Sequence, residues 1–78
     1  MNKKRMASFF VPEEEFTSDR FVTMVSRLHL VPVRVEFLYQ SFGFEYTAVS
    51  SYFDVVPDGM RPPHIEMDKL YEMAEVDD

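Results

Sequence analysis

Seventy-eight residues hold one small domain and leave no room for a second, and without cysteine that domain has neither disulfides nor a thiolate metal site. Fourteen acidic against eight basic residues give a net charge of −6, which opposes direct nucleic-acid binding and suits protein partners with basic surfaces. A chain this short buries only about 60–65% of its unfolded surface, so stability must come from efficient packing or from association.

The N-terminal MNKKRMASFFVPEEE has a basic start and an apolar patch from Met6 to Val11. That patch is shorter than the roughly 7–15 apolar residues of a signal-peptide core. Nothing in the chain approaches the ~20 apolar residues of a membrane span. The expectation is a cytoplasmic protein with no membrane contact. Residues 1–8 read as a basic, flexible tail, and Phe9-Phe10-Val11 as an apolar anchor that docks on the core or forms a short strand.

Residues 12–30 hold the main helix. Two starts compete: Pro12 with Glu13, Glu14 and Glu15 in a first turn, or Ser18 as N-cap with Asp19 behind it. Phe21, Met24, Val25 and Leu28 recur at i, i+3, i+4 and i+7, opposite Arg20, Thr23, Ser26 and Arg27. A strand over 20–30 is the rival, since Val22, Met24, Ser26, Leu28 and Leu30 also alternate; the cleaner polar face favours the helix. Pro32 requires the helix to end by Val31.

Val33–Phe53 alternates and is broken by Gly43, the pattern of a β-hairpin at the heart of the fold. Val33, Val35, Phe37 and Tyr39 share one face, and Phe44, Tyr46, Ala48, Ser50 and Tyr52 share the matching face of the return strand; together these are expected over the core. Ser41-Phe42-Gly43 is the turn, with Gly43 supplying a positive φ. Asp54–Pro63 is turn chemistry around Pro57-Asp58-Gly59. A third strand over His64–Met67, then a short helical turn over Asp68–Ala74, is preferred to one helix starting at Pro63. Residues 75–78 read as an acidic, frayed tail. The fold expected is α+β: a small antiparallel sheet of three strands, or four if Phe9–Val11 joins, with one main helix on one face.

Chemical motifs are sparse. His64 with Glu66 lacks any paired-ligand spacing. Three consecutive glutamates point about 100° apart in a helix and make no concerted acid–base pair. Ser41, Ser50 and Ser51 lie in no nucleophile elbow. With Gly43 and Gly59 the only glycines, no glycine-rich phosphate loop exists. Phe37, Tyr39, Phe44 and Tyr46 invite comparison with a base-stacking platform, but Glu36 and Glu45 oppose it and core packing accounts for them better. No catalytic, cofactor or metal residue is assigned.

The profile is similar to that of small accessory proteins of phages and mobile elements, a class and not a family. The function expected is non-enzymatic protein binding, in its sharper form inhibition or modulation of a larger, basic-surfaced enzyme. Glu13, Glu14, Glu15, Asp54 and Asp58 are the candidate contacts, with Tyr52 and Met60 as apolar anchors. The alternative is a structural homo-oligomer, with an open edge at Val33–Tyr39 or His64–Met67 pairing across a two-fold axis.

Overall fold

Alternation starts earlier than a flexible tail allows. In the computed structural model, which describes residues 4–76, strand β1 runs from Lys4 to Pro12, and Ala7, Phe9 and Val11 on its inward side have no exposed surface. Residues 4–8 are therefore strand and not tail; residues 1–3 lie outside the described residues. β-branched and aromatic residues at every second position gain most from a pleated, buried surface, and here that gain outweighs the local charge of Lys4 and Arg5.

Five further elements complete the fold. Helix α1 is Asp19–Arg27, β2 is Val31–Leu38, β3 is Gly43–Val49, β4 is Val55–Val56 and α2 is Met67–Ala74. A 3-10 turn over Tyr39–Ser41 joins β2 to β3. The sheet is antiparallel with strand order β2-β3-β1-β4. The fold is α+β, as expected, but β1 and not the 33–53 hairpin is its centre. β1 pairs with β3 from Met6↔Val49 to Pro12↔Gly43, and with β4 through Lys4↔Val56 and Arg5↔Val55. Beyond β4 the 63–65 segment continues that side, Ser8 N–H donating to the Pro63 carbonyl and Ile65 N–H to the Ser8 carbonyl. His64–Met67 is thus a single parallel bridge at Ser8↔His64 and not a third strand. Val55-Val56, expected as turn, is the strand instead.

α1 uses the second of the two expected starts. The Ser18 hydroxyl accepts from Phe21 N–H at 3.1 Å and donates to the Glu15 carbonyl at 2.8 Å. Residues 13–17 are turns that precede this cap, so the three glutamates do not open the helix. Phe21, Met24 and Leu28 are buried as the helical spacing requires. The helix ends with His29 in the left-handed region at φ 52°, and Leu30 N–H reaches back to the Val25 carbonyl. α2 ends the same way, with Glu75 at φ 58° and Val76 N–H bonded to the Tyr71 carbonyl. Glu75 and Val76 are a helix cap and not a frayed tail; 77–78 lie outside the described residues. The Arg27 guanidinium donates to the Ala74 and Glu75 carbonyls at 3.2 and 2.7 Å, placing a cation on the negative end of α2.

Both helices join the core on one face. It comprises Ala7, Phe9, Val11, Phe21, Met24, Leu28, Leu30, Tyr46, Ala48, Phe53, Leu70, Tyr71 and Ala74. Alternation alone puts Phe53 on the opposite face of a longer strand. β3 instead stops at Val49, the chain turns on the Phe53 N–H to Ser50 carbonyl bond, and Phe53 swings inward. The buried Ser50 hydroxyl donates to the Leu28 carbonyl at 2.7 Å and accepts from Tyr52 N–H, tying that turn to the end of α1. Among the described residues no helix is long and apolar enough to cross a membrane.

The hairpin turn differs from expectation in its chemistry. Phe42, not Gly43, takes the positive φ, at 52°. Gly43 is required for proximity: a Cβ there would meet the Phe10 ring and lie 2.7 Å from the Val11 carbonyl oxygen. Gly43→Ala is expected to destabilise the fold by about 1–3 kcal/mol through overpacking. His29→Gly relieves a left-handed non-glycine residue and is expected to stabilise it by about 1 kcal/mol. Denaturant unfolding of the two variants checks both signs.

A candidate docking edge and a buried clasp

The helical layer is offset from the sheet. In register, Val35 lies opposite Tyr46 and Phe37 opposite Phe44, on the face that carries the core. The face expected from the alternation is therefore correct for Val35 and Phe37, but the core does not cover it at β2, where each is 43% exposed. Val33, at a shift of register, is 54% exposed, and Tyr39, expected on the same face, lies in the 3-10 turn and is 77% exposed. The outer flank of α1 adds exposed Val22. Between that flank and the sheet lies a groove of about 320 Å³ lined by Phe16, Phe21, Val22, Val25, Ser26 and Tyr46. An aromatic run leads from the core to its rim: Phe9 stacks on Tyr46 at 4.9 Å, Phe21 meets Tyr46 edge-on, Phe16 stacks on Phe44 at 4.3 Å, and Phe37 closes on Phe44 at 5.2 Å. Each of these half-exposed apolar side chains leaves on the order of 1 kcal/mol of burial unrealised.

β2 is also an edge in the hydrogen-bonding sense. β3 lies on one side of it, and among the described residues no strand pairs with the other. The register slips between Pro32 and Arg34, a bulge at Val33. On the face away from the helices Arg34 and Glu36 pair at 3.0 Å, both largely exposed. Glu36 stands directly opposite Glu45 of β3, a like-charge neighbour that raises its need for a cation.

The residues expected to contact a partner do not converge. Glu13, Glu14 and Glu15 follow the C-terminal end of β1, and Glu13 N–H bonds to the Phe42 carbonyl. Asp54 lies beside the other end, its carbonyl accepting from Met6 N–H. The intervening length of strand places these groups about 20 Å apart. Asp58 and Met60 line a shallow depression with Lys4, Met6 and Val56, whereas exposed Tyr52 borders a different one with Arg27, Leu28 and Met73. Sequence reasoning places Val33, Val35 and Phe37 in the core and misses them as surface. Two signals point to the surface: Val22 lies outside the core-facing stripe of α1, and Val33–Phe37 reads V-R-V-E-F, with charges of opposite sign flanking a central valine.

A second concavity, of about 330 Å³, lies between the end of β1, the 13–20 turn and the start of α2, with Glu15, Arg20, His64, Glu66, Asp68 and Tyr71 on its walls. Its centre is a clasp. The Tyr71 hydroxyl donates to the Glu15 carboxylate, and the Arg20 guanidinium lies 3.7 Å over the Tyr71 ring. Burial, reinforced by that carboxylate, pushes the Tyr71 hydroxyl far above its ordinary value of 10.0. A phenol held protonated in this way is a poor proton acceptor, and its evident role is to fasten α2 to the turn before α1. Glu15 thus serves the fold rather than a free acidic patch. His64 Nδ1 approaches Glu66 at 3.7 Å on the exposed rim. Among the described residues no three His, Cys, Asp or Glu groups come together to hold a metal ion.

Comparison with family models, with curated proteins and with solved structures finds no match.

The clasp predicts an alkaline limit to stability. Burial also raises Tyr46. Below the ordinary phenol pKa of 10.0, both hydroxyls are protonated whether the chain is folded or not. Above it the unfolded chain releases protons that the folded chain retains, so stability falls as pH rises. Tyr71→Phe is expected to cost about 1–2 kcal/mol near neutral pH and to flatten the alkaline decline. Urea unfolding at about pH 7 and about pH 11 measures both effects.

Proposed function

We propose that this protein is a non-enzymatic protein-binding module whose docking element is β2 and the apolar strip beside it. One observation carries the reading: an eight-residue edge strand presents Val35 and Phe37, which stand opposite Tyr46 and Phe44, to solvent on the face that is otherwise the core. Unpaired backbone groups and uncovered apolar side chains on one strand are the two ingredients of strand-addition recognition. The chain carries a net charge of −6, but β2 itself holds one arginine and one glutamate, so the docking edge is neutral and selects a partner by the order of its charges rather than by net charge. Modulation of a larger enzyme, the sharper form of this function, then runs through β2 and not through the dispersed acidic residues.

Replacing Phe37 with a photo-crosslinking phenylalanine analogue tests the reading directly. Irradiation in cells is expected to yield covalent protein adducts from position 37 and none from the same group at Glu14 or Asp54. Equal adduct yields from all three positions, or none from position 37, would remove β2 from the account.

A further inference from the structure

Resting on that reading, we infer that the partner β2 is built for is a second copy of this chain, added antiparallel about a two-fold axis through Val35. The central segment of β2 is self-complementary under that operation and under no neighbouring one. With Val35 opposite its own counterpart, Arg34 of each copy faces Glu36 of the other. Moving the axis to Arg34 sets arginine against arginine, and moving it to Glu36 sets glutamate against glutamate. An axis between two residues sets each charge against an apolar side chain. Parallel addition in register brings like charges alongside each other. Cross-strand pairs of opposite charge stabilise a register and like charges oppose it.

The monomer is short of what this partner supplies. Glu36 has Glu45 on its β3 side and its own strand neighbour, Arg34, as counter-charge. A second copy brings another Arg34 to the open side of Glu36, so each glutamate pair gains a cation across the new ladder. On the opposite face, Val35 of one copy meets Val35 of the other with each Phe37 at the diagonal, covering side chains that are now half exposed. Alternate residues of an edge strand direct their N–H and C=O groups outward, so the segment from Arg34 to Phe37 offers ladder positions on its open side to a second copy. The two four-stranded sheets become one continuous sheet. Pro32, which lacks an N–H, and the bulge at Val33 mark the N-terminal limit of that ladder.

Charge exchange tests the register. Analytical ultracentrifugation of the full chain from about 1 to about 500 µM is expected to show a concentration-dependent dimer. R34E sets two pairs of glutamates against each other, and E36R two pairs of arginines. Each variant alone is expected to dimerise at least about tenfold more weakly. An equimolar mixture of the two is expected to regain the dimer, because positions 34 and 36 are both acidic in the first variant and both basic in the second, so every cross-strand pair is again one of opposite charge. The double variant R34E/E36R is expected to regain it too. Both positions are exposed, and circular dichroism of each variant confirms that the fold is kept. A wild-type chain that stays monomeric throughout, single variants that dimerise like wild type, or a mixture that fails to associate would each overturn the inference. Photo-adducts from position 37 distinguish the two failures: adducts with a different protein and a monomeric wild type would leave β2 a docking edge while removing the second copy, whereas no adduct at all removes both.

Discussion

Burial of the inward row of β1 is the constraint on which the remaining structure depends. Ala7, Phe9 and Val11 are sealed beneath the helices, and both edges of their strand are hydrogen-bonded, one to β3 and the other to β4 and the 63–65 segment. Phe9 stacks on Tyr46, and Tyr46 in turn receives the edge of Phe21. The chain therefore places its two helices, nine and eight residues long, over the middle of the sheet. Short helices settle where they bury most apolar surface. Here that is over β1 and β3, and β2 is left beyond their reach.

An uncovered edge strand is ordinarily a hazard, and β2 carries the usual defences: a proline, a bulge and charged side chains. The arrangement of those charges separates it from a merely guarded edge. Two charges of the same sign would repel every incoming strand of that sign. Arg34 and Glu36, opposite in sign and two residues apart, disfavour most registers and favour one. In the proposed dimer the same residues are both a barrier to indiscriminate pairing and the specification of the register. A small domain whose core is limited by its length has reason to complete part of its apolar face in this way.

Much of the architecture was legible in the residues. The 3.6-residue spacing of Phe21, Met24 and Leu28 located α1, and Ser18 was among its expected caps; the alternation of Phe44, Tyr46 and Ala48 identified the inward face of β3. What was hidden has physical causes. Lys4 and Arg5 resemble a solvated tail, yet they begin the central strand because charges at the end of a strand can reach water while the residues after them go inside. Alternation reveals which way a side chain points but not whether anything lies above it, so Val35 and Phe37 look the same in sequence whether covered or bare. Gly43 resembles a turn glycine, but its requirement comes from the Phe10 ring, which neighbours it only after β1 and β3 pair. The acidic residues look like one group only because sequence does not show that Glu13 and Asp54 lie at opposite ends of β1.

Amide hydrogen exchange, resolved residue by residue and followed over a wide range of protein concentration, tests the central claim most directly. The account predicts that outward-facing amides between Val33 and Phe37 exchange more slowly as concentration rises, while amides of β1, already bonded on both sides, do not change. Exchange in β2 that is indifferent to concentration, or protection that grows at another part of the surface, would contradict it.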